Sequence, residues 1–182
     1  MLMEAGIDPQ GFEGNAHDVR PAIWQAKRNP ENTYGLDYSA YSDSQLTDDW
    51  NPSFFPNMTI NAHPEGSMVM RFLPHPSDPT RCIYNVWVML PKLRDGMRPP
   101  AYMGVEDSVD VSGKVRPARR RTNLEDPQLG EVLEQDVANL IRMQQGVMSA
   151  GMQEGVRLGE LEQRIQQVHA EIDRCIARNS SR

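Results

Sequence analysis

No stretch of this chain stays apolar for the roughly 20 residues that a membrane-crossing helix requires, which argues against a spanning segment of that kind. Residues Met1 to Ile7 have neither a basic start nor a long apolar run, so no secretory leader is read there and a cytoplasmic protein is expected. Cysteine is scarce. Cys82 and Cys175 are the only two, each in an apolar-patterned segment, where both are expected to pack as small hydrophobes without a disulfide. Histidine is scarce as well: His17, His63, His75 and His169 are scattered, and no two share the three- or four-residue spacing of a metal-binding pair on one helix. There is no Gly-x-Ser-x-Gly elbow, no phosphate-binding glycine loop and no helix start or basic partner identifiable beside either cysteine. Hydrolytic triads, reactive thiols and nucleotide sites therefore have no sequence support. Positive charge is also in short supply, with 19 basic against 25 acidic side chains and a net charge of -6, so nucleic acid and anionic lipid are poor partners. A small molecule or another protein fits better.

What is present suits one domain, or a large piece of one: 182 residues, 38% hydrophobic and 24% charged, with 14 Pro and 13 Gly that imply generous loops. Residues 1–50 carry many turn formers and read as a loop-rich lead-in around one helix, His17 to Arg28, capped by Asp18 with Pro21 in its first turns. From Phe54 the pattern changes to strands at Asn57 to Ala62, Ser67 to Leu73 and Arg81 to Leu90. Met68, Met70 and Phe72 alternate onto one face, and His63 to Gly66 reads as a hairpin loop. The third run is apolar on both faces and is expected inside the sheet. A long irregular stretch, Pro91 to Pro127, holds the basic tract Arg116 to Arg121. That tract lacks interleaved aromatics, so it reads as a solvated loop rather than a phosphate or RNA patch. Two amphipathic helices finish the chain, Leu129 to Val147 and Leu158 to Ala177. The stripe Leu158, Leu161, Ile165, Val168, Ile172, Ile176 is expected to lie on the sheet or on the other helix. The whole is α+β, an antiparallel meander with helices on one side. Of the 11 methionines, Met58, Met68, Met70, Met89 and Met143 fall on apolar faces, as core filling or as the lining of an irregular apolar pocket.

One residue stands out. On a helical wheel Asp136 falls among Leu129, Val132, Leu133, Leu140, Met143 and Val147, an acid on the face expected to be buried. A buried carboxylate must protonate, pair with a cation such as a loop arginine, or bind metal, and the pattern alone leaves these open.

Three stretches together resemble one family: Leu46 to Ala62 centred on Phe55-Pro56-Asn57, then Met70 to Thr80 with the strand after it, then Glu134 to Ser149 followed by Leu158 to His169. They are similar to the large (alpha) subunits of Rieske non-haem iron aromatic-ring-hydroxylating dioxygenases, in the C-terminal part of the catalytic domain. The resemblance implies a helix-grip fold, of the Bet v 1-like or START-like kind, around a mononuclear Fe(II), with Asp136 as the metal-ligating carboxylate. Val132 and Leu140, one turn to either side, would line the substrate pocket or belong to the core. It also implies a [2Fe-2S] Rieske cluster and two iron histidines on a preceding region. Residue 84 is Tyr and residue 178 is Arg, so neither cysteine begins a cluster motif, and the chain is expected to be a truncated or split subunit. The implied partners are an aromatic or other apolar substrate, dioxygen, an electron-transfer ferredoxin or reductase, and further copies of the subunit. A second reading, from a different class, is a non-catalytic apolar-ligand or interaction module that kept the sheet and helix and lost the iron.

Overall fold

The computed structural model describes residues 2–123, 129–152 and 155–180, without the side chains of Glu131 and Val132. The lead-in holds α1 (Val19–Arg28) and a short α2 (Asp43–Thr47). Pro21 occupies the first turn of α1, where its missing N–H is harmless. Asp18 stands at the cap position, yet its carboxylate accepts from the Asn15 N–H at 2.9 Å instead of capping the helix, a correction to the sequence reading. Ser42 and Gln45 close a reciprocal capping box on α2, which lets so short a helix form. The two helices are joined by the Trp24 indole N–H donating to Thr47 Oγ1 at 3.2 Å and by Arg28 paired with Asp43 at 2.6 Å, over buried Ile23 and Leu46.

Four antiparallel strands follow in sequence order, β1 (Ser53–Phe54), β2 (Met58–His63), β3 (Gly66–Pro74) and β4 (Cys82–Met89). The meander expected from the alternation is therefore what forms. Its register places Met68 opposite Val88, Met70 opposite Val86 and Phe72 opposite Tyr84, so one continuous apolar face results. The Phe72 and Tyr84 rings stack with centroids 4.7 Å apart. Met103, from a 3-10 turn at Ala101–Met103, and Leu133 cover this face and complete the core with Met68 and Met70. Gly66 starts β3 where a Cβ would come within 2.8 Å of the Met89 carbonyl oxygen, so the hairpin accepts no side chain there.

α3 (Glu131–Val147) is held by an unusually close backbone crossing. Gly104 has φ +62°, and a Cβ on it would lie 2.2 Å from the Leu129 carbonyl oxygen. Gly104→Ala should therefore push the start of α3 off the sheet and lower stability by more than about 1 kcal/mol, read as a reduced urea midpoint. An unchanged midpoint would mean that α3 does not enter the fold at this crossing.

Several expectations are corrected. β4 is the edge of the sheet, not its interior, and Ile83, Trp87 and Met89 are at least one-third exposed. Its second face is covered only in part: the Arg71 guanidinium lies over the Trp87 ring at 5.2 Å, and Arg119 from the basic tract reaches Asn85. That tract is an exposed loop, as read, with Arg120 also paired to Glu106 at 2.5 Å. Cys82 sits exposed at the start of β4 instead of packed, because the strand containing it has no outer neighbour; both cysteines are free thiols. Met68 and Met70 fill the core, whereas Met89 and Met143 are more than half exposed.

The last helix, α4 (Gln163–Ser180), begins later than its periodicity suggested, after a 3-10 turn at Glu160–Glu162. Its apolar stripe is not buried as expected. Ile165, Val168, Ile172 and Ile176 are 40–59% exposed and Leu161 fully so. Periodicity shows that a helix has an apolar face, but not what will cover it. Among the described residues, no helix is long and apolar enough to cross a membrane.

Candidate functional site

The seat of α3 decides where its acid points. The crossing at Gly104 and Gly130 brings Leu133 and Val137 inward, 3% and 5% exposed, and the Leu129 N–H donates to Glu134 Oε1 at 3.2 Å. At about 100° per residue, Asp136 then falls on the flank of that inward stripe, not at its centre. It is exposed, which corrects the wheel reading. The wheel assumed that the whole helix lies on the sheet, yet only its first turns do: Leu140 is 40%, Met143 64% and Val147 57% exposed. Burial therefore does not force Asp136 to protonate or to find a cation. Among the described residues, no hydrogen bond or ion pair engages its carboxylate. Its charge is nonetheless felt at the sheet. The Tyr84 phenol is pushed up to about 12, first by burial and then by the Asp136 carboxylate.

The other expected residues do not gather round it. Leu140 is 40% exposed, and the side chain of Val132 lies outside the described residues. His17 and His169 are exposed, His75 accepts from the Ser77 N–H at 3.4 Å, and His63 stands at the β2–β3 hairpin beside Tyr102, ring centroids 4.8 Å apart. Among the described residues, no three His, Cys, Asp or Glu side chains are grouped to hold a metal ion. An open groove of about 550 Å³ is lined by Trp50, Asp49, His63 and Arg164, with Asp136 not among its walls.

A buried charged cluster escaped the sequence reading. Glu65, in the loop between β2 and β3, is 2% exposed. Lys27 Nζ of α1 lies 2.8 Å from its carboxylate and also donates to the Leu46 carbonyl oxygen at 2.8 Å. The Tyr38 hydroxyl donates to Glu65 at 2.8 Å and the Tyr102 hydroxyl at 3.5 Å. The lead-in helices, the hairpin and the 3-10 turn thus meet on one carboxylate. Nothing local could have revealed it, since residues 27, 38, 65 and 102 are brought together only by tertiary packing.

Burial, followed by the Glu65 charge, pushes Tyr38 and Tyr102 far above the ordinary tyrosine value, and burial with the Glu4 charge takes Tyr34 up to about 12. For a group whose folded value is raised, stability is intact below the unfolded value and falls as pH climbs towards the folded one. The fold should therefore weaken from about pH 10 through 12 and beyond. Phenolate absorbance should show that four of the five tyrosines, Tyr34, Tyr38, Tyr84 and Tyr102, ionise only together with loss of the fold. Five phenols titrating near 10 in folded protein would contradict this burial.

Comparison with known proteins gives one match. A family model described as the ring hydroxylating alpha subunit (catalytic domain) covers residues 5–178. No curated protein and no solved structure matches.

Proposed function

Because the chain belongs to the ring-hydroxylating alpha-subunit catalytic domain family, we propose that it forms the carboxylate-bearing part of a Rieske-type non-haem iron oxygenase, with Asp136 as one iron ligand. The family match across nearly the whole chain carries this reading, and its antiparallel sheet with C-terminal helices is consistent with the helix-grip architecture of the family. The Asp136 carboxylate supports it further, being free of any salt bridge among the described residues and set on the part of α3 that is anchored to the sheet.

The described residues do not by themselves fit an iron centre. A two-histidine, one-carboxylate site needs three protein ligands, and no such group is assembled among the described residues. The two histidines, and the Rieske cluster that would deliver electrons, belong in this proposal to a separate region or polypeptide of the kind found in complete relatives. The substrate would be aromatic or otherwise apolar, with dioxygen as co-substrate and a ferredoxin or reductase as electron source. The test is to supply a complete relative's histidine-bearing region, in trans or by fusion, and to measure iron per folded protein after anaerobic desalting. Iron retained by the combination but not by the chain alone is the expected result. No iron in a combination shown to be folded would remove the reading.

A second reading is favoured by one observation, the lack of any three-ligand group among the described residues. It holds that the chain is a non-catalytic apolar-ligand or interaction module derived from the same fold. It predicts that the combination takes up no iron, whereas the isolated chain still binds an apolar probe saturably.

A further inference from the structure

The four strands contain no aspartate or glutamate, and Arg71 is the only lysine or arginine among them. It lies on the sheet face turned away from α3, because it alternates with Met70 and Phe72, which pack with Leu133 in the core. Its neighbours on that face are Met58 and Asn85 across the flanking strands and Val69 and Leu73 along its own. The guanidinium carbon stands 5.2 Å from the centre of the Trp87 ring. Such a contact holds a cation but does not neutralise it. Among the described residues Arg71 has no acidic partner, and its buried Nε–H finds no acceptor.

Asn85, directly opposite Arg71, is 7% exposed. Arg119 donates to its Oδ1, which fixes the orientation of the amide and leaves Nδ2 as a second buried donor without an acceptor. Two guanidinium groups and one amide thus converge where like charges repel and two donors go unanswered. From this convergence, we propose that the face holds an anion-binding site whose ligand is a small organic carboxylate with an apolar body. One carboxylate set among Arg71, Asn85 and Arg119 answers both donors and separates the two positive charges.

The class of ligand follows from the surroundings. An arginine offers Nε–H and a terminal N–H side by side, spaced for the two oxygens of one carboxylate. Phosphate sites are built mainly from helix N-termini and successive backbone N–H groups, whereas the backbone of β3 is taken up by ladders on both sides. Around Arg71 the face is otherwise apolar, and Ile83 and Trp87 are 47% and 36% exposed, so an apolar body has a surface to lie on. Arg119 comes from an exposed loop, so it can shift to admit the ligand and then hold it from outside. The site lies across the sheet from α3 and is independent of iron and of the role of Asp136.

The experiment is isothermal titration calorimetry of the full chain at low salt with hexanoate, hexanamide, acetate and inorganic phosphate. Saturable binding of hexanoate is expected, with hexanamide, which has the same body and no charge, weaker by about tenfold or more. Acetate, which lacks the body, and phosphate should also bind more weakly than hexanoate. Arg71→Met keeps the space beside Trp87 filled and should lower hexanoate affinity by about tenfold or more, and Arg119→Gln should lower it as well. Far-UV circular dichroism checks that both variants are folded. Should Arg71→Met misfold, hexanoate against hexanamide on the parent chain still decides the matter. No saturable binding of hexanoate overturns the site. So does equal binding of hexanamide, or full hexanoate affinity in folded Arg71→Met, because Arg71 then only stacks on Trp87 in water. Acetate as tight as hexanoate, or phosphate tighter, overturns the class of ligand.

Discussion

Lys27→Met should cost the fold about 3–5 kcal/mol, the largest effect expected of any single substitution in this chain. The ammonium is the only cation on the Glu65 carboxylate among the described residues, at 2.8 Å, and the two side chains are 11% and 3% exposed. With methionine there, the volume stays filled but a carboxylate remains buried with tyrosine hydroxyls as its only described donors. Those hydroxyls cannot replace a full charge, so the penalty is that of an unpaired buried ion and not of one lost hydrogen bond. The same substitution removes the donor to Leu46 and loosens α2 from α1. Adding Glu65→Gln to Lys27→Met should recover most of the loss, because the amide is neutral and its oxygen can still accept from Tyr38. Equilibrium urea unfolding of the two single variants and the double variant forms a closed cycle that isolates the pair. A Lys27→Met chain within about 1 kcal/mol of the parent would show that the cluster is solvated and that the lead-in is not locked to the hairpin.

The second large effect is on metal and not on stability. Asp136→Ala, in the chain combined with a relative's histidine-bearing region, should retain no stoichiometric iron, as one coordination position and one negative charge disappear together. Asp136→Asn should weaken retention as well, because a neutral amide is a poorer ligand. Exposure of Asp136 sharpens the test. A carboxylate paired in the interior would have made the alanine variant unstable, so that iron loss and unfolding would be confounded. Here the folded chain should unfold at the same urea concentration with or without the substitution. A folded Asp136→Ala combination with full iron would falsify the ligand assignment.

Much of the architecture was legible in one dimension. The strict alternation of Met68, Met70 and Phe72 specified a strand with one buried face, and Gly66 with the turn residues before it specified the hairpin. Hence the meander was readable before any coordinates. The family resemblance was legible for a similar reason, because Phe55-Pro56-Asn57 and the segment around Glu134 to Ser149 keep their order and spacing.

Helix faces were less so. The wheel correctly placed Leu133 on the buried side but extended that side along the whole of α3, and so put Asp136 and Leu140 inside. Periodicity specifies an angle around a helix axis and carries no information on how many turns meet a neighbour.

By itself, then, the sequence determined the order of the longer elements, the alternation of the strands, the apolar stripe of α4 and the resemblance to an oxygenase family. These are properties of short windows, in which side-chain pattern and backbone period act within a few residues. Only the tertiary structure decided that β4 is an edge, that α3 touches the sheet with its first turns alone, that Asp136 therefore stands at the surface, and that Glu65 gathers Lys27, Tyr38 and Tyr102 around a buried charge. Each depends on two segments far apart in the chain meeting in space. The Gly104 and Gly130 crossing shows the reason: a single close backbone approach sets where a helix of 17 residues begins to leave the core, and no local pattern in either segment encodes the other's position.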